Sequence, residues 1–134
     1  MIVADTNIIC YLLVASERTA EAQKALKRDP FWSAPYLWRS EFCNVMTMYV
    51  RKQILSWNAA QNNLNHVLRL LHGKEYAVPP QRRLELAASS NCTAYDCEFV
   101  ALALYLGIKL LTVDRQILAQ FPETAVELSE FAGN

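Results

Sequence analysis

The sequence predicts an α/β fold: a three-layer sandwich in which a short central parallel sheet is flanked by helices. Short, wholly apolar segments alternate with helical segments along the whole chain. Strands that are apolar throughout, rather than at every second residue, are typical of parallel sheets buried on both faces. The 134 residues form one predicted domain, 1–134, because no repeat, linker or low-complexity segment divides them.

The predicted strands are short and lie between residues that end or start helices. They cover residues 1–4, 31–34, 108–113 and 125–128, with a weaker strand or extended linker at 75–78. Asp29-Pro30 ends the helix before the second strand, and Gly107 stops the helix before the strand at 108–113.

The predicted helices fill the remaining intervals, at residues 8–13, 17–28, 36–52, 59–71, 80–89, 94–106 and 116–121. Pro35 opens the third helix, Ser56-Trp57-Asn58 offers caps for the fourth, and Thr93 is the expected N-cap of the sixth. The helix at 94–106 is apolar on nearly every side, so we expect it to lie buried across the sheet.

Composition excludes several classes of function. The net charge is +0, so no global basic field attracts nucleic acid, and a polyanionic substrate would have to be held by local cations or bound metal. Four scattered Cys and two His lack zinc-ligand spacing, and most of the Cys lie in apolar stretches that indicate small core residues in a reducing cytoplasm. No signal peptide is evident, and no apolar run is long enough to span a membrane.

Two Asp residues directly follow apolar strands. Asp5 closes the first strand and Asp114 closes the strand at 108–113. Ligands of open parallel sheets bind beyond the carboxyl ends of the strands, so both side chains are predicted at that edge. Each could instead cap the following helix or form a turn, and for one Asp alone the cap is the better interpretation.

Two further acids lie on predicted helices. Asp96 is in the first turn of the apolar helix, where Thr93 and Asp96 could simply form a capping arrangement. Glu41 has apolar neighbours one turn away and could be a surface acid paired with Arg39 or Arg51. Glu98 is about 200° around the helix from Asp96, so we expect it to be solvated.

Clustered at one sheet edge, the acids Asp5, Glu41, Asp96 and Asp114 would form a site for a hard divalent cation. Oxygen ligands without His or Cys favour Mg²⁺ or Mn²⁺, and one or two ions would suit phosphoryl chemistry. Arg39 and Arg115 stand near two of these acids and are candidate phosphate contacts, or equally solvated surface residues. The three Trp residues could stack on bases, but packing in the core or at a dimer interface is the favoured interpretation.

Four ordered segments resemble the PIN domain family, and most of all the small VapC-type toxins of toxin–antitoxin pairs. The resemblance covers essentially the whole chain and rests on Ile2-Val-Ala-Asp5-Thr6-Asn7, Ser40-Glu41-x-x-Asn44, Thr93-x-Tyr95-Asp96 with Ala101-Leu-Ala103, and Leu111-Thr112-x-Asp114. It implies a Mg²⁺- or Mn²⁺-dependent endoribonuclease, with the four acids around the metal.

The resemblance also implies supporting roles and partners. Thr6 and Asn7 would support Asp5, Asn44 could hydrogen-bond the site, and Thr112 could contact a metal-bound water. The implied partners are an RNA substrate, a cognate antitoxin protein and a second copy of the chain in a homodimer.

Two other functions are compatible with an acidic α/β site. One is a catalytically silent binding module whose acidic groove only holds a partner. The other is a Mg²⁺-dependent phospho-accepting signalling domain, although that class has an acidic pair after its first strand and a Lys after a late strand. Here Asp5 is followed by Thr6 and Asn7, and no such Lys accompanies Asp114.

Overall fold

The computed structural model describes residues 1–133 and confirms the predicted three-layer α/β fold. Every recorded strand pairing is parallel, and the strand order is β3-β2-β1-β4-β5. The strands are β1 (Ile2–Ala4), β2 (Trp32–Pro35), β3 (Glu75–Tyr76), β4 (Leu110–Thr112) and β5 (Ala125–Glu127).

The helices connect consecutive strands and cover the sheet. They are α1 (Thr6–Leu13), α2 (Thr19–Arg28), α3 (Leu37–Arg51), α4 (Trp57–Leu70), α5 (Pro80–Ala88), α6 (Ala94–Leu106), α7 (Arg115–Gln120) and α8 (Leu128–Phe131). The sequence patterns place the first seven within about two residues of these bounds, whereas the four-residue α8 is too short to show a periodicity and was not predicted. No helix within residues 1–133 has the length and apolarity needed to cross a membrane.

Strand β1 is the centre of the sheet, where its register brings the two flanking strands together. Val3 is opposite Ser33 of β2 on one side and Leu110 of β4 on the other. All three residues of β1 are buried, as are all three residues of β4. The carboxyl ends of β1 and β4 therefore lie side by side at one edge.

Helix α6 packs against β1, β2, β4 and α5, and a continuous stretch of it from Cys97 to Ala103 is buried. The prediction that its apolar residues are buried all round is wrong in the last turn, where Tyr105 is 82% exposed. The neighbours of the helix leave this end uncovered. Gly107 then ends it with a positive φ of 68°, a conformation that favours glycine.

The three Trp residues have different environments. Trp32 and Trp38 are fully buried, which confirms their interpretation as core residues. Trp57, at the start of α4, is 66% exposed, so a place in the core is wrong for this residue. It is the first residue after the Ser56 N-cap, directly after the turn that joins α3 to α4.

Candidate functional site

The site lies where the chain topology reverses direction across the sheet. The order β3-β2-β1-β4-β5 places consecutive β1, β2 and β3 on one side, and β4 then returns to the other side of β1. A crevice at such a switch point is the usual ligand site of an open parallel sheet. Asp5 follows β1 and Asp114 follows β4, so both acids stand at this crevice.

Asp5 is both the N-cap of α1 and a lining residue of the crevice. Its Oδ1 accepts a hydrogen bond from the Thr6 backbone N–H at 2.8 Å, and its Oδ2 accepts one from the Thr112 hydroxyl at 2.7 Å. Burial raises the pKa of Asp5 to about 6, and repulsion from Glu41 and Asp96 adds to the shift. The Thr112 hydrogen bond acts in the opposite direction, because it stabilises the ionised carboxylate.

Glu41 is half-buried on α3 and is held by a threonine hydroxyl from α1. Thr6 Oγ1 donates to Glu41 Oε1 at 2.7 Å, so Thr6 uses its backbone N–H for Asp5 and its hydroxyl for Glu41. Desolvation raises the pKa of Glu41, and nearby Asp96 and Glu98 raise it further. The surface pairing considered for Glu41 is absent from the described structure: Arg39 binds Glu75, and Arg51 forms no recorded salt bridge.

The remaining two acids, Asp96 and Asp114, each lie at the N-terminus of a helix. Asp96 N–H donates to the Thr93 hydroxyl at 3.1 Å, and desolvation followed by repulsion from Asp114 raises the pKa of the Asp96 carboxyl. Asp114 caps α7, since its Oδ1 accepts from the Ile117 N–H at 2.9 Å. The cap interpretation is therefore confirmed for Asp5 and Asp114, but each capping residue also lines the crevice.

The carboxylates converge on one pocket of about 230 Å³. It is lined by Asp5, Thr6, Asn7, Glu41, Asn44, Val45, Asp96 and Asp114. Seven of the eight predicted carboxylate and supporting residues are in this lining. Thr112 is fully buried instead. Its hydroxyl donates a hydrogen bond to the Asp5 carboxylate and accepts one from the Asp114 backbone N–H.

The chemistry of this pocket fits a hard cation. No cation of residues 1–133 forms a recorded salt bridge with any of the four carboxylates. Desolvation is the main physical cause of the raised pKa values of Asp5, Glu41 and Asp96, and repulsion between the like charges in the crevice adds to it. In the described part of the chain, no three His, Cys, Asp or Glu side chains are already drawn together as a closed ligand set. A divalent ion would therefore have to draw the oxygen ligands inward.

The two candidate phosphate contacts differ in their surroundings. Arg39 donates two hydrogen bonds of 2.7 Å to the Glu75 carboxylate, and Trp38 Nε1 donates to the same carboxylate. Arg39 would have to leave Glu75 to reach a substrate. Arg115 is exposed, directly follows Asp114 in the chain and forms no recorded salt bridge within residues 1–133.

The prediction for Glu98 is wrong, and this residue forms a salt bridge that the sequence patterns did not indicate. It was expected to be solvated, but it is 7% exposed and forms a salt bridge with Arg83 of α5. Helix α5 packs along α6 and covers that side, so the angle of 200° from Asp96 leads to a neighbouring helix rather than to solvent. The one feature of the sequence that could have indicated this salt bridge is an Arg in the preceding helix.

The family model for the PIN domain matches residues 2–124, which is most of the chain. The chain belongs to the PIN domain family. All the acids of the pocket lie within the matched residues.

This PIN domain is similar to known proteins in sequence and in fold along nearly its full length. Ribonuclease VapC3 from Pyrobaculum aerophilum is 32% identical over 124 residues, which cover 90% of this chain and 95% of that protein. The crystal structure of PAE2754 from the same organism matches with a TM-score of 0.78 and 24% identity, covering 98% of this chain and 92% of that one.

A second solved structure is a toxin–antitoxin complex from Klebsiella pneumoniae. It matches with a TM-score of 0.73 and 19% identity, covering 96% of this chain and 98% of that one. At this identity the likeness demonstrates a shared fold.

Proposed function

We propose that this PIN domain is a Mg²⁺- or Mn²⁺-dependent endoribonuclease and the toxin of a toxin–antitoxin pair. The observation that carries the proposal is the pocket in which Asp5, Glu41, Asp96 and Asp114 converge without a neutralising cation among the described residues. The 32% identity to Ribonuclease VapC3, extending over 90% of the chain, supports RNA as the substrate. The shared fold with a toxin–antitoxin complex supports an antitoxin partner.

The four carboxylates would hold the metal, with Asn7 and Asn44 at the rim of the same pocket. A bound Mg²⁺ or Mn²⁺ would supply activation of the attacking water and neutralisation of charge on the phosphate oxygens. Two hydroxyls would orient these carboxylates: Thr6 donates a hydrogen bond to Glu41, and Thr112 donates one to Asp5. Such pre-orientation reduces the rearrangement needed when an ion and an RNA strand enter.

The proposal also includes a cytoplasmic location and a homodimer, as the resemblance to VapC-type toxins implies. Size-exclusion chromatography with light scattering tests the dimer. A co-expressed antitoxin that copurifies with the protein and suppresses its RNA cleavage tests the partner.

The decisive experiment is cleavage of a fluorescent RNA by the pure protein with Mg²⁺, with Mn²⁺ and with EDTA. We expect cleavage with either ion, none with EDTA, and a loss of at least about 100-fold in Asp96→Asn, because the variant removes a charged ligand. Glu17→Gln is the matched control, since Glu17 is exposed and lies outside the pocket. A folded Asp96→Asn protein that cleaves as fast as Glu17→Gln would overturn the mechanism. RNA binding without any cleavage by the wild type would indicate a silent binding module.

A further inference from the structure

The acidic pocket continues into a second depression along α3. This depression has a volume of about 340 Å³ and is lined by Asn44, Val45, Met48, Arg51 and Lys52. Asn44 and Val45 also line the acidic pocket, so the two surfaces share a border. The two depressions are therefore adjacent along α3.

Helical spacing explains why these residues form one stripe. Glu41 is followed by exposed Asn44, Met48 and Arg51 at intervals of three or four residues, which places them on one face of α3. Ten residues separate Glu41 from Arg51, and a helix rises 1.5 Å per residue, so the stripe is about 15 Å long. That length spans several nucleotides of a single strand.

The charge changes along this stripe from negative to positive. Arg51 and Lys52 are exposed, and neither forms a recorded salt bridge in the described part of the chain. By contrast, Arg18, Arg39 and Arg83 are all engaged by carboxylates. The net charge of the protein is +0, so an RNA substrate needs local cations, and this free pair adjoins the metal pocket.

An aromatic surface lies beyond the cations. Arg51 also lines a groove of about 410 Å³ between α3 and α4, and Trp57 belongs to the same groove. Trp57 is 66% exposed, which leaves indole surface available for stacking. Stacking on an aromatic side chain requires an unpaired base, so this combination favours a single strand over a duplex.

We propose that single-stranded RNA follows this track from the acidic pocket along α3, with phosphates at Arg51 and Lys52 and a base on Trp57. The inference deepens the proposed ribonuclease function and rests on it. It assigns substrate binding to residues remote from the carboxylates. These residues contribute affinity for the strand, while the carboxylates carry the reaction.

The test compares Arg51→Gln/Lys52→Gln with Lys24→Gln/Lys27→Gln, which removes the same charge from exposed positions of α2. For cleavage of a single-stranded RNA of about 12 nucleotides, we expect the α3 variant to raise KM about 10-fold with kcat unchanged. Cleavage of a dinucleotide, which is too short to reach Arg51, should be unaffected. The slope of log affinity against log salt should fall by about 1.4, at about 0.7 per phosphate contact.

Trp57 provides an independent readout. Trp57→Ala should weaken binding of the same RNA about 10-fold, and Trp57→Phe should retain most of the affinity, because a ring still stacks. Since Trp32 and Trp38 are buried, quenching of tryptophan fluorescence by RNA should disappear in both Trp57 variants.

The outcomes separate this inference from the proposed function. Wild-type cleavage with an unchanged KM in the α3 variant would overturn the track and leave the ribonuclease intact. If the wild type binds RNA through Arg51 and Lys52 but does not cleave it, the proposed function fails and the track stands. If the α3 and Trp57 variants lose affinity for a co-expressed protein partner and keep their affinity for RNA, the surface is a protein-docking groove and the track is wrong.

Discussion

Two buried threonines organise the carboxylates at the scale of single residues. Thr6 is 4% exposed and Thr112 is fully buried, so neither hydroxyl has water as an alternative partner. Each donates to a carboxylate at 2.7 Å, Thr6 to Glu41 and Thr112 to Asp5. Hydrogen bonds to a charged acceptor are among the stronger ones in proteins. The two threonines therefore hold the Glu41 and Asp5 carboxylates in place.

Asp5 carries a cost in stability that a metal would relieve. Its pKa is raised from 3.8 to about 6 in the folded protein, so the neutral form is favoured and the ionised form is penalised. A change of this size corresponds to roughly 2 to 3 kcal/mol. We predict that Asp5→Asn raises the free energy of unfolding in EDTA at pH 8 by about this amount, while it abolishes RNA cleavage.

The pH dependence follows from the same linkage. The folded protein binds the Asp5 proton more tightly than the unfolded chain, so the penalty is absent below pH 3.8 and grows as the pH rises to about 6. The stability difference between Asp5→Asn and wild type, measured by urea unfolding in EDTA, should shrink between pH 8 and pH 4. A constant difference over that range would contradict the assignment to Asp5 ionisation.

At the scale of elements, one ion pair fixes α5 against α6. Arg83 of α5 pairs with Glu98 of α6, whose side chain is 9% exposed. Arg83 itself is 35% exposed, so removing it leaves a Glu98 charge that is only partly desolvated, at a cost of roughly 1 to 3 kcal/mol, whereas apolar replacement of both is often nearly neutral. The pair therefore adds to the packing between the two helices.

We predict that Arg83→Met lowers the free energy of unfolding by roughly 1 to 3 kcal/mol and that Arg83→Met/Glu98→Leu recovers most of the loss. The adjacent Arg82→Met is the matched control, because Arg82 and Glu85 form an exposed pair worth less than about 1 kcal/mol. Urea denaturation of the three variants measures the effect. Equal losses in Arg83→Met and the double variant would contradict the role of the pair.

The elements themselves were largely predictable from the sequence. The bounds of α6 coincide with the prediction, because Thr93 and Gly107 are local signals that start and end a helix. The exposure of side chains was less predictable. Solvation of Glu98 and a core position for Trp57 are both wrong predictions, since the exposure of a side chain depends on how the other helices pack around it.

At the scale of the whole molecule, a bound ion should act on global stability. The pocket joins the ends of β1 and β4 with α3 and α6, so an ion that binds only this assembled pocket stabilises the folded state. We predict that saturating Mg²⁺ raises the Tm by several degrees, consistent with about 2.7 kcal/mol at a concentration 100 times the Kd.

Asp96→Asn should lose most of this increment, whereas Glu17→Gln should keep it. Scanning calorimetry of both variants with and without Mg²⁺ measures the difference and does not require an active enzyme. Identical increments in the two proteins would place the ion outside the pocket.

The family resemblance placed Glu41 at the site, while the sequence by itself determined the parallel α/β fold, the order of its elements and the positions of Asp5, Asp96 and Asp114. These properties follow from local information: apolar strands, helix caps, and Asp residues at strand ends. Only the tertiary structure decided that the Thr6 hydroxyl holds Glu41, that Thr112 is buried and bonded to Asp5, and that Arg51 and Lys52 adjoin the acidic pocket without a recorded salt bridge within residues 1–133. These features are contacts through space, and no local pattern encodes the distance between side chains on different elements.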